Sequence, residues 1–303
     1  MTGLHVPQVR MSRLSSAQLG LILLAIGSMV DSTSGLFTRL LPTDGFTTAS
    51  GRGLMAFVFL LILLIARDGW RGPLALVRIG PWGLAFVGLN AIGMVLNILS
   101  LANTSVANFF IIFATAPFVA ALAGRLVLGE RLDGATLLAA LAGFAGIAVM
   151  MASGASSGGL VGDLLAVGCL FCYSALVLVV RRNGDLDMLP AIAITVLVSG
   201  LLALPFADFS TVSIRDWSIL ALFGALQLAG GNLLIFAAVK RVPAAQSGLL
   251  GILNAAFAPT WVFLFLGEVP PTATLVGGAI ILSAAIAHLV WTLASSRPST
   301  TPA

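Results

Sequence analysis

Ten apolar stretches, each close to twenty residues, follow one another along the chain at 17–39, 47–66, 80–101, 105–127, 133–151, 160–181, 189–207, 216–239, 243–266 and 271–293. About twenty residues of helix, at 1.5 Å each, cross the hydrocarbon layer of a bilayer. Each stretch is therefore expected to be a transmembrane helix. The connections are short, and several hold Gly, Pro or Asp, which interrupt helices. Residues 294–303 are rich in Ser, Thr and Pro and are expected to be disordered. Arg10 and Arg13 precede the first run as they would in a signal peptide. That run, however, continues past Ala25 without a small-residue cleavage site and reads as a retained span.

The pattern is duplicated. Phe118 to Arg131 reads FVAALAGRLVLGER and Phe257 to Val269 reads FAPTWVFLFLGEV, so that two proline-containing apolar runs both close on Leu-Gly-Glu. Glu130 and Glu268 are 138 positions apart, and Ala135 and Ala139 match Ala273 and Gly277 at the same offset. Each half, 17–151 and 159–293, holds five spans. Five is odd, so the second half enters the membrane upside down relative to the first. Inverted repeats of this kind build transporters with a site near the bilayer midplane.

Charge decides the orientation. With the N-terminus inside, twelve of the fifteen Lys and Arg fall on the cytoplasmic side. Arg39 and Arg215 fall outside, and Arg52 lies within the second span. A shift of one helix in the count would destroy this split. The expected fold is an all-α integral membrane protein of ten transmembrane helices in two inverted five-helix repeats, both termini cytoplasmic. The composition agrees: 59% hydrophobic and 9% charged residues, with a mean hydropathy of +1.10, against roughly a quarter charged in soluble domains. The basic residues are scattered singly, which excludes a nucleic-acid surface. Cys169 and Cys172 have no second pair and lie inside one apolar run, so they read as small apolar residues and not as a metal or redox site. No metal or cofactor is expected.

Ten spans, the five-plus-five repeat and a Leu-Gly-Glu hairpin closing spans four and nine resemble the drug/metabolite transporter superfamily, in particular its EamA-type branch of bacterial amino-acid and metabolite exporters. Arg52 matches an arginine common at that point of the second span. Val106 to Phe118, VANFFIIFATAPF, is similar to aromatic or neutral amino-acid exporters. The resemblance implies a multi-pass carrier of the bacterial inner (plasma) membrane, working by alternating access and without enzymatic activity.

Polar groups inside a bilayer are costly and point to function. Ser28, Asp31, Ser32 and Gly35 share one face of span one, and Cys169, Cys172 and Tyr173 occupy the matching face of span six. These faces read either as two walls of a substrate cavity or as packing seams. Asp31 is the one carboxylate expected well inside a span. Asp31 and Arg52 should both lie roughly 8–12 Å below the outer surface, where an ion pair would be the economical arrangement. The alternative is that Asp31 takes up protons during transport or meets a substrate ammonium. Asn90 and Asn97 in span three, Gln227 and Asn232 in span eight, and Asn254 with Trp261 in span nine supply further hydrogen-bonding groups and an aromatic wall. Pro117 and Pro259 are expected to interrupt spans four and nine as gating kinks. Glu130 and Glu268 are expected to fasten hairpins at opposite surfaces. Together these residues predict a secondary exporter of small polar metabolites, with amino acids foremost. Efflux of cationic or amphipathic drugs, with Asp31 as counter-charge, is the alternative. An intramembrane enzyme would need paired acids or a His/Asp cluster within spans, and the sequence has neither.

Overall fold

The structure is a computed structural model, describing residues 15–69, 80–129, 133–157, 159–182, 188–239, 241 and 249–295. Glu130 lies outside them. Among the described residues, nine helical segments are long and apolar enough to cross a membrane, and Leu250–Leu266 is a shorter apolar tenth.

Two of the ten spans are broken. Span one consists of Ser16–Asp31 and Ser34–Leu40, with Ser32 and Thr33 between them. Their hydroxyls close the break by donating to Met29 and Val30 carbonyls at 2.8 and 2.6 Å. Span four consists of Val106–Phe113 and Ala116–Leu128, joined by Ala114 and Thr115. Pro117 sits in the first turn of its second half, where the absent N–H leaves no hydrogen bond unmade. Span nine, by contrast, continues through Pro259 as one helix, Leu249–Leu266. The expected pair of proline interruptions is thus corrected. One proline starts a half-helix, the other is accommodated inside a helix, and the second break falls in span one. Span eight carries a different irregularity, a π-helical stretch at Phe223–Gly230 between Ile214–Leu222 and Gly231–Val239.

The packing follows the duplication. Span three packs on span six and span one on span eight, two pairings that exchange when the halves are swapped. Spans two and seven, four and nine, and five and ten pack against their own counterparts. Glycines permit the tightest of these approaches. A Cβ on Gly146 would lie 2.8 Å from the Gly277 carbonyl, and one on Gly277 2.7 Å from the Gly146 carbonyl, so spans five and ten meet backbone to backbone. The outward faces carry Leu, Ile, Val and Phe, as a lipid-facing surface requires.

Candidate functional site

A cavity of about 450 Å³ runs between spans one, two, three, four, six, eight and nine. Phe86, Leu89, Val177, Val180, Phe236 and Leu250 line it toward the ends that the loop charges place in the cytoplasm. Asp31, Ser34, Arg52, Asn97 and Cys169 line its deeper part, and Phe109, Phe110, Phe113 and Tyr173 form an aromatic wall. The Phe113 and Tyr173 rings stand 5.0 Å apart.

Asp31 is the last helical residue before the break in span one, which turns its carboxylate toward spans eight and nine. Oδ1 accepts from Gln227 Nε2 at 3.1 Å and Oδ2 from Asn254 Nδ2 at 2.9 Å. Gln227 Nε2 also reaches the Asp31 backbone carbonyl at 3.1 Å. The π-helical turn of span eight carries Gln227 to this position, an irregularity that often marks functional sites. With both amide groups turned to the carboxylate, Gln227 Oε1 and Asn254 Oδ1 are left buried and unpartnered.

Arg52 is 3% exposed. Its Nη2 donates to the Met94 carbonyl at 2.9 Å and to Asn97 Oδ1 at 3.4 Å, while the guanidinium lies 5.0 Å over the Phe223 ring. Phe223 in turn stacks on Phe37. Arg52 and Asp31 share the cavity but make no nitrogen–oxygen contact within 4.0 Å. The expected contact ion pair is therefore corrected: the fold satisfies each charge through neutral groups and keeps the two apart.

Of the remaining sequence-predicted residues, Asn90, Asn97, Tyr173, Asn232, Gln227 and Asn254 are on the cavity wall. Asn232 Nδ2 is drawn back to the Leu228 carbonyl at 2.6 Å. Ser28, Ser32 and Trp261 are not on the wall. Ser28 is fully buried and donates to the Leu24 carbonyl, and Trp261 Nε1 donates to Ser32 Oγ at 3.0 Å. These three secure span one internally and to span nine. The serines share a helix face with Asp31 in the sequence, yet their hydroxyls are spent on contacts within span one and to span nine while Asp31 lines the cavity.

The outer ends are tied together. Arg39 Nε pairs with Glu268 Oε2 at 3.0 Å, and its Nη1 and Nη2 donate to the Leu101 and Thr104 carbonyls, each at 2.8 Å. Glu268 Oε1 accepts from the Val106 N–H at 3.3 Å. One pair thus joins spans one, three, four and nine. Beside it, Asp163 Oδ1 accepts from Thr104 Oγ1 at 2.6 Å and from Asn108 Nδ2 at 3.0 Å, and Thr274 Oγ1 donates to Asn108 Oδ1. Asp163 is wholly buried, a second intramembrane carboxylate that the sequence reading missed. It stands only three residues inside span six, and only its enclosure by residues of spans three and four marks it out.

Two copies of one family model match this chain, the EamA-like transporter family, at residues 18–152 and 160–290. The chain belongs to the EamA-like transporter family. It is a multi-pass membrane carrier with duplicated halves and not an enzyme. Among curated proteins, it is similar to the pseudopaline exporter CntI of Pseudomonas aeruginosa (strain UCBPP-PA14), 28% identical over 236 residues that cover 75% of this chain and 81% of the relative. The EamA-like fold also matches a crystal structure of a protein at a TM-score of 0.67, with 19% identity, over 93% of this chain and 100% of the other.

Proposed function

We propose that this EamA-like transporter exports amino acids or closely similar small zwitterions across a bacterial inner membrane by alternating access. The observation that carries the reading is a single cavity in which an acidic group, Asp31, and a basic group, Arg52, are held apart and not neutralised by contact. A zwitterion brings one charge for each. The aromatic wall at Phe109, Phe113 and Tyr173 supplies an apolar surface for a side chain. The similarity to a pseudopaline exporter supports outward movement of a small metabolite.

Arg52 weighs against cationic drugs as the principal substrates, because a buried guanidinium repels them. The cavity reaches toward the cytoplasmic ends, while Arg39–Glu268 and the Asp163 cluster hold the outer ends together. This supports an inward-facing conformation, ready to load substrate for export. Proton coupling through Asp31 completes the proposed cycle. Counterflow uptake in proteoliposomes, against amino acids, nucleosides and cationic dyes, with and without a pH gradient, tests the reading. Amino acids are expected to exchange and to respond to the gradient. Uptake of cationic dyes alone would overturn it.

A further inference from the structure

We infer that Arg52 is the carboxylate receptor of the cavity and sets its preference for acids over their uncharged derivatives. The inference deepens the reading above and rests on it for the rest of the substrate. Arg52 is a charged group 3% exposed inside a membrane span. Such a charge calls for an anion or several oriented dipoles. The protein gives it only neutral acceptors, and both fall on one nitrogen, Nη2. Neither Nε nor Nη1 donates to a described residue, and neither is sealed from the cavity that Arg52 lines. A guanidinium edge with unmet donors is the form that recognises a carboxylate through two parallel hydrogen bonds.

The surrounding backbone holds that edge in place. Phe223 lies under the guanidinium, and the neighbouring glycines let the flanking helices close on span two. A Cβ on Gly53 would lie 2.8 Å from the Val196 carbonyl, and one on Gly224 2.5 Å from the Arg52 carbonyl. Spans seven and eight thereby fix the backbone at Arg52 and leave its side chain to lie along the cavity wall. Asp31 makes no contact with the free edge; its two oxygens are turned to Gln227 and Asn254.

The test uses the full chain and three probes of one shape: phenylalanine, phenylalaninamide, which lacks the carboxylate, and phenyllactate, which lacks the amine. In counterflow, the unaltered protein is expected to favour phenylalanine over its amide by at least about tenfold, the scale of one hydrogen-bonded charge contact. Arg52→Gln should bring that ratio close to one. Arg52→Lys should keep part of it, having charge without the fork. Asn97→Asp, which sets a carboxylate against the intact guanidinium, should also collapse the ratio. Because the ratio compares two ligands on one protein, a variant's yield does not alter it. In parallel, phenylalanine or phenyllactate should raise the Tm of the detergent-purified protein and should not raise that of Arg52→Gln. Equal handling of acid and amide by the unaltered protein, or a preference that survives Arg52→Gln, overturns the inference and leaves amino-acid export standing. A phenyllactate effect that depends on Arg52, without any movement of phenylalanine, overturns amino-acid export and upholds the receptor. A Tm unmoved by either carboxylate overturns the receptor whatever the transport result.

Discussion

At Asp31, a carboxylate within a membrane is held by two amide donors and no cation contact. This differs from an ion pair in its consequence: a substrate ammonium or a proton can approach the carboxylate without first displacing an arginine. Removing the charge while keeping the shape therefore tests its part in transport. Asp31→Asn is expected to lower counterflow by about tenfold or more, the scale of a lost charge-assisted hydrogen bond, and to flatten the response to a pH gradient. Proteoliposome assays at several internal pH values check this, and an unchanged pH response removes the proton role. Trp261 and Ser32 present the opposite case. Their mutual hydrogen bond ties span nine to span one outside the cavity, so their loss should register in stability before selectivity.

Among the elements, span eight combines a π-helical stretch with a backbone-to-backbone approach to span two. A side chain at Gly224 would meet the Arg52 carbonyl and, at 2.6 Å, the Ala56 nitrogen, both of them backbone atoms that cannot swing aside. Gly224→Val is expected to destabilise the protein by about 1–3 kcal/mol through overpacking and to lower its Tm. Gly88 is the internal control. A Cβ there has nothing within 4 Å, so Gly88→Ala should leave Tm unchanged or raise it slightly, by the helix preference of alanine. Thermal unfolding in one detergent compares the two. The broken spans belong to the same scale. Spans one and four turn at Ser32–Thr33 and Ala114–Thr115, and the first of these turns directly follows Asp31.

Over the whole molecule, the arrangement is asymmetric across the membrane. The outer ends of spans one, three, four and nine converge on Arg39 and Glu268, while the cavity runs the other way. If this pair holds the outer side closed, Arg39→Gln should open it more often. Ser34, at the deep end of the cavity, offers a reporter. With Cys169 and Cys172 replaced by alanine, a Ser34→Cys protein should react slowly with a membrane-impermeant thiol reagent added outside. The Arg39→Gln version should react about five- to tenfold faster, since a partly exposed ion pair contributes on the order of 1 kcal/mol. Equal rates would show that other contacts keep the outer side closed.

Ten spans, the duplication and its inversion were legible in the sequence, because hydropathy, span count and loop charge are one-dimensional properties and the bilayer acts on each span in the same way. Most of the cavity's polar residues were legible too, since Asp31, Arg52, Asn97, Gln227 and Asn254 stand out against apolar neighbours. What they touch was not. A helix in lipid is apolar on nearly every face, so periodicity does not tell a cavity wall from a helix contact, and Ser28, Ser32 and Trp261 could not be separated from Asp31 on that ground. The sequence shows no base beside Glu268; the fold brings Arg39 from 229 residues away. It also separates Asp31 from Arg52, two charges that the span pattern places at similar depth. Those outcomes depend on helix rotation, on the break in span one and on backbone approaches set by single glycines. Each is a distance between segments far apart in the chain, and only the packed molecule fixes it.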